Sequence, residues 1–297
     1  MTVALFDTSA INNLLDDPLE PELTSNLFDR YSVYISLLNL LEIAKTSDPV
    51  RREALRRFIR KLRDGGDDDK GGFAPLDLPN HLLRQVCQRF SSPGPKLRWS
   101  VADERHDFDV AISAPSAISE EARLEAMAWC RELEANIAES NASFRERLQR
   151  EVFSHSPKAR PKTAADLFRR YLRASWPLRY GITAKIYKRE TGKVLPLSRL
   201  DDLLGARPSI WPLFLMAYAF SIYYGSMWSS DFGTRNPAGI IDLMYAVYLP
   251  VCDVFVTHDM RHGGQYDALR LLNVFSSRSP RAHVLNWNHF RAQLLTA

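Results

Sequence analysis

Residues Thr2–Leu15 read TVALFDTSAINNLL, and the acid in the middle of that run decides how the chain is read. Val3–Phe6 is short, apolar and β-capable, the composition of a buried strand, and Asp7 stands where that strand would leave its sheet. The residues behind it have the pattern of a helix start. In an open parallel α/β sheet, ligands bind outside the carboxyl ends of the strands, so a carboxylate placed there faces the functional crevice. A second duty competes for the same residue. Asp-Thr-Ser ahead of an apolar-periodic run is also a helix N-cap, whose side-chain oxygens satisfy free backbone N–H groups.

Outward from that stretch, the first sixty residues read as strand, helix, helix, strand, helix. SVYIS at Ser32–Ser36 is the second short β run. Leu37–Arg63 carries the apolar recurrence of one long helix that turns basic toward its C-terminus, as the helix dipole favours. The glycine and aspartate run DGGDDDKGG at 64–72 is a linker. From Phe73 to Gly205 the pattern is helical pieces between proline- and serine-bearing loops, with no alternating strand and no internal repeat, and its longest helical stretch is 118–153. The α/β signature then returns: NPAGIIDLMYAVYLP (236–250) reads as a helix with proline in its first turn. CDVFVTHD (252–259) reads as a strand ending in an acid, QYDALRLLNVF (265–275) as a helix and AHVLN (282–286) as a last strand. The expectation is an α/β domain whose halves, 1–62 and 206–297, complete one sheet around an all-helical insertion at 63–205.

With 297 residues and 45% hydrophobic composition the chain can bury a sizeable core. Cys87, Cys130 and Cys252 are scattered and form no C-x-x-C pair, which excludes a disulfide framework or zinc knuckle and points to a reducing cytoplasm. The N-terminus has neither the basic region nor the apolar length of a secretory signal. Pro208–Ser230 holds no charge and is long enough to span a membrane, yet its two prolines, its serines and its dispersed aromatics favour a buried helix, so no membrane is expected.

The net charge of +4 hides an asymmetry: Asn141–Leu200 holds 15 Lys plus Arg against 4 Asp plus Glu, net +11, which leaves −7 for the rest. Phe144, Phe153, Phe168, Tyr171, Trp176, Tyr180 and Tyr187 are interleaved with those cations. That mixture suits a surface that tracks phosphates and stacks bases, with Arg169, Arg170, Arg173, Lys185, Lys188 and Arg189 as its nucleic-acid contacts. The competing reading is a solvated helical segment whose aromatics form its own core.

Three further acids share the situation of Asp7. Glu42 lies in the apolar LLNLLEIA, Asp242 interrupts GIIDLMYAV, and Asp259 ends DVFVTHD. Charged residues in apolar surroundings are paired or bind metal. Four such groups converging on one crevice would repel one another unless divalent cations intervened, and an all-oxygen site suits Mg²⁺ or Mn²⁺. Asp253 reads as a turn or cap residue. His258 and His262 lack a third ligand nearby for zinc, and Gly263 and Gly264 carry no phosphate-binding fingerprint. A haloacid-dehalogenase-like phosphatase needs a second Asp at the position of Ser9, which excludes it.

These four acids, in this order and in these elements, resemble the PIN-domain nucleases: ALFDTS with Asp7, Thr8 and Ser9, ISLLNLLE with Glu42, NPAGIIDLMYAV with Asp242, and CDVFVTHD with Thr257 and Asp259. The resemblance covers about residues 1–60 and 206–297, and small toxin-type PIN domains carry no comparable helical insertion. It implies a three-layer α/β domain with a central, mostly parallel sheet. It further implies a hydrolase, an endoribonuclease in most members, that cuts phosphodiesters with Mg²⁺ or Mn²⁺. Asp7, Glu42, Asp242 and Asp259 would be the catalytic metal ligands, with Thr8, Ser9 and Thr257 hydrogen-bonding behind them. RNA is favoured over DNA as partner, and an inhibitory antitoxin-like protein and a homodimer are further partners in view. The rivals are a catalytically idle PIN-like scaffold that binds nucleic acid or a protein, and a DNA-directed PIN-like nuclease.

Overall fold

The computed structural model describes residues 2–65, 76–91, 176–205, 209–228, 239–260, 264–276 and 278–296, together with scattered positions between 99 and 167. Strands β1 (Thr2–Phe6), β2 (Tyr31–Tyr34), β3 (Val254–Thr257) and β4 (His283–Asn286) form one sheet in the order β2-β1-β3-β4. All three pairings are parallel, so the chain is α/β with a fully parallel sheet. From β1 the chain crosses to β2 on one side, and from β3 to β4 on the other. The gap between the carboxyl ends of β1 and β3 is therefore the topological switch point, where such sheets bind ligands.

Both faces of the sheet are covered, and side-chain alternation sorts the core. Leu5, Phe255 and Val284 point into one apolar cluster, while Ala4, Phe6, Val254 and Val256 point into the other. The second cluster is closed by α1 (Thr8–Leu15), α2 (Glu20–Arg30), α4 (Pro49–Asp64) and α11 (Trp287–Leu295) through Ile11, Leu27, Ile59 and Phe290. The first gathers α5 (Pro79–Ser91), α6 (Trp176–Thr191), α7 (Leu200–Leu204), α8 (Ile210–Trp228), α9 (Ile240–Met244) and α10 (Gln265–Leu272). Helix α3 (Leu37–Ala44) contributes Leu38 to the first cluster and Ile43 to the second, and so straddles the boundary between them. The described parts of 63–205 thus share their core with the sheet: Leu82, Leu83, Cys87 and Tyr187 sit in the same cluster as Leu5 and Phe255.

Several expectations are corrected. The single helix over 37–63 is two, because Pro49 keeps Asp48 out of the helical region (φ −70°, ψ 114°) and the Asp48 carboxylate caps α4 at Val50 N–H, 2.9 Å away. Helix α4 stops at Gly65, whose φ of +67° is a left-handed cap that glycine adopts without penalty. The helix expected over 236–250 is five α-helical residues followed by a 3₁₀ turn, Tyr245–Tyr248, with 236–238 outside the described residues. An unexpected helix, α11, follows the last strand. Of the helical stretch at 118–153, described positions such as Leu124, Arg131 and Glu134 are helical and the others lie outside the described residues.

The uncharged run does form a helix, α8, whose Trp211 is fully buried and donates its indole N–H to Thr183 of α6 at 3.2 Å. No helix among the described residues is long and apolar enough to cross a membrane. Cys87 and Cys252 are buried free thiols, each pushed up to about 12 by burial, and Cys130 lies outside the described residues.

Candidate metal centre

Asp7 follows β1 directly and is 5% exposed. Its Oδ1 accepts the Ala10 N–H at 2.7 Å, so it does cap α1. The Ser9 hydroxyl donates to the same carboxylate (2.7 and 2.9 Å), and Thr257 Oγ1 lies 2.8 Å from Oδ2. The parallel register explains the last contact: Phe6 pairs with Val256, so position 7 falls beside position 257. Strand β3 ends at Thr257, and Asp259 lies two residues past it instead of ending the strand as Asp7 ends β1. Thr257, not Asp259, is the cross-strand counterpart of Asp7.

Glu42 reaches the same crevice from α3. Its Oε2 accepts the Thr8 hydroxyl at 2.5 Å and the Tyr245 hydroxyl at 2.8 Å. Asp242, the third residue of α9, accepts the Gly239 N–H at 2.8 Å and steadies its own helix start. Asp259 accepts the Gln265 N–H at 3.0 Å, at the first residue of α10. Three of the four acids therefore also serve helix starts, and Glu42 serves none.

The electrostatics tie Asp7, Glu42 and Asp242 together. Burial raises Asp7 to about 7 against the hydrogen bonds from Ala10, Ser9 and Thr257, and the nearby Asp242 charge adds to the rise. Burial, then the Asp242 charge and more weakly that of Asp7, pushes Glu42 up to about 8, although the Thr8 and Tyr245 hydroxyls favour its ionised form. Among the described residues no group of three or more His, Cys, Asp or Glu is gathered closely enough to hold a metal ion by itself. The donor chemistry nevertheless suits a small hard cation, since Mg²⁺ commonly takes one or two carboxylates and completes its shell with water and substrate oxygens. Glu42 Oε1 takes no hydrogen bond among the described residues and is an oxygen left over for such an ion.

Three residues beyond those expected from the sequence, Asn39, Tyr245 and Gln265, belong to the site. Asn39, fully buried, donates to Phe6 O (3.0 Å) and Tyr245 Oη (2.9 Å), and its Oδ1 accepts from Ser36 N and Oγ at 3.0 and 2.9 Å. It lies three residues before Glu42 and so on the same helix face, a signal that was available. Gln265, 1% exposed, sets its Oε1 2.8 Å from Thr257 Oγ1 and donates to Asp242 O at 2.8 Å, joining β3, α10 and α9. No local pattern marks it, because its partners are distant in sequence or met only through the fold.

Other expected contacts fall elsewhere. Asp253 stands at the opposite end of the sheet, where it accepts Val3 N–H at 2.7 Å and pairs with Arg278. His258 is exposed and donates its backbone N–H to Ser9 Oγ at 2.9 Å, while His262 and Gly263 lie outside the described residues. Arg169, Arg170 and Arg173 also lie outside them. Lys185, Lys188 and Arg189 are exposed on α6, and Arg189 pairs with Glu190 at 2.8 Å. Of the interleaved aromatics, the one side chain described is that of Tyr187, which is buried against Phe90 and serves the core. Comparison of the chain with protein-family models, with curated proteins and with solved structures returns no match.

Proposed function

We propose that the protein is a divalent-metal-dependent phosphodiester hydrolase of PIN-like character, with RNA as the favoured substrate. Glu42 carries this reading. A carboxylate at a switch-point crevice, raised to about 8 by burial and by neighbouring Asp242 and Asp7, makes no ion pair among the described residues and caps no helix. Its position is costly to folding and is explained by an occupant of positive charge.

In this reading Asp7 and Glu42 would hold the cation, and Asp242 and Asp259 would add negative charge beside them. A bound Mg²⁺ or Mn²⁺ supplies Lewis-acid polarisation of a phosphate oxygen and an acidified water at neutral pH. Ser9 and Thr257 fix the Asp7 carboxylate, Thr8 and Tyr245 fix Glu42, and Gln265 holds the start of α10 against β3 and α9. The exposed Lys185 and Lys188 of α6 offer charge to a phosphate backbone.

The idle scaffold is favoured by one observation: Asp7, Asp242 and Asp259 all have structural duties at helix starts. Cleavage of labelled single-stranded RNA, duplex RNA and single-stranded DNA with Mn²⁺, Mg²⁺ or EDTA, beside Asp7→Asn, separates the two. The hydrolase cuts RNA with metal, stops in EDTA and is inactive as Asp7→Asn. Nucleic acid bound but never cut would give the scaffold the better claim.

A further inference from the structure

Resting on the metal-site reading, we infer that Tyr245, oriented by Asn39, determines which divalent cation the site accepts by confining Glu42 to a single ligating oxygen. Glu42 Oε2 receives two hydroxyl donors, Thr8 Oγ1 at 2.5 Å and Tyr245 Oη at 2.8 Å. Two accepted bonds use the two in-plane lone pairs of a carboxylate oxygen. Oε2 thus carries two donors and Oε1 none among the described residues, which makes Oε1 the oxygen that Glu42 would offer an ion.

The Tyr245 hydroxyl is not free to turn away. The Asn39 amide has two N–H groups, and its nearest acceptors are Phe6 O at 3.0 Å and Tyr245 Oη at 2.9 Å. With its oxygen occupied by an Asn39 N–H, the Tyr245 hydroxyl directs its own proton to Glu42. The Asn39 carbonyl is held in turn by Ser36 N–H and Oγ–H, which fixes the orientation of the amide. The chain of donors therefore runs in one direction, from Ser36 through Asn39 and Tyr245 to Glu42, within a buried layer that joins α3, the end of β1 and the 3₁₀ turn. Asn39 touches no ligand and is a positioning residue.

A carboxylate limited to one oxygen discriminates between cations. Mg²⁺ and Mn²⁺ accept single carboxylate oxygens in a near-octahedral shell, whereas Ca²⁺ takes more oxygens at longer range and commonly gathers them through bidentate carboxylates. Loss of a donor on Oε2 frees that oxygen for a larger ion and loosens the geometry the smaller ions require.

Calorimetric titration of the purified full chain with Mn²⁺ and with Ca²⁺ tests this, in wild type, Tyr245→Phe and Thr8→Val, each first shown to be folded by circular dichroism. The wild type is expected to bind Mn²⁺ more tightly than Ca²⁺. In Tyr245→Phe the Mn²⁺ affinity falls by roughly tenfold, the scale on which outer-shell partners act, while Ca²⁺ affinity holds or rises. Thr8→Val, which removes the other donor on the same oxygen, narrows the preference in the same direction and keeps the test open if Tyr245→Phe does not fold. Equal weakening of both ions, or an unchanged preference in a folded variant, overturns the role of Tyr245 and leaves the metal site standing. A wild type that binds neither ion overturns the metal site and this inference with it.

Discussion

At the residue scale, the site is defined by carboxylates whose folded environment opposes their charge. Asp7 and Glu42 are raised from 3.8 and 4.5 to about 7 and about 8, first by burial and with Asp242 adding to both. Between those limits the folded chain retains protons that the unfolded chain has released, so folding stability declines as pH rises through that window. The penalty is complete above the folded values and absent below the unfolded ones. Asp242→Asn removes one source of repulsion while keeping an acceptor for Gly239 N–H. In EDTA this variant is expected to melt above wild type at pH 8.5, where Asp7 and Glu42 are ionised, and close to it at pH 5.5, where both are protonated. Thermal melts at the two values check this, and an equal gap at both would remove Asp242 from the electrostatic cluster. With Mn²⁺ present the wild type should recover, because the cation removes the repulsion that the substitution relieves.

At the scale of elements, short polar punctuation sets where helices stop, and thereby what reaches the crevice. The break at Asp48-Pro49 separates α3, which carries Asn39 and Glu42 across the boundary between the two core clusters, from α4, which packs below the sheet. Asp48→Ala removes the side-chain cap on Val50 N–H and should cost about 1 kcal/mol, as N-cap losses do. A urea midpoint records the loss, and Mn²⁺ affinity should be unchanged because the Asp48 carboxylate serves the start of α4. The parallel register between β1 and β3 acts likewise: it places Thr257 beside Asp7 and leaves Asp259 to the start of α10. A one-residue slip would turn every side chain of the strand to the other face and dissolve the site.

At the scale of the whole molecule, the described parts of 63–205 share the core of the sheet. Leu82, Leu83, Cys87 and Tyr187 pack in one cluster with Leu5 and Phe255 of the sheet, so the basic helix α6 is fixed relative to the crevice. Within α6, Arg189 is engaged by Glu190, whereas Lys185 and Lys188 are exposed. Replacing both lysines with Glu should weaken RNA binding and lower the slope of log affinity against log salt by about 1 for each lysine that neutralises a phosphate. Filter binding across a salt series measures both quantities, and an unchanged slope would assign phosphate binding to other parts of the chain.

The α/β class, the strand that ends at Asp7, the return of the α/β pattern after residue 206 and the acids worth following were all legible in the chain before it folds. Those features are local: a β-capable run, a turn, and charges in apolar surroundings each leave a mark within a few residues. The break in the helix at Pro49 was also written there and was overridden by the stronger apolar periodicity around it. Folding alone established that Thr257 sits against Asp7, that Thr8 and an Asn39-held Tyr245 bind up one oxygen of Glu42, and that Gln265 joins β3 to the helix of Asp242. Each of those relations depends on register between strands or on which helices meet, and residues as far apart as Glu42 and Tyr245 carry no local sign of each other until the sheet is closed and the helices are packed upon it.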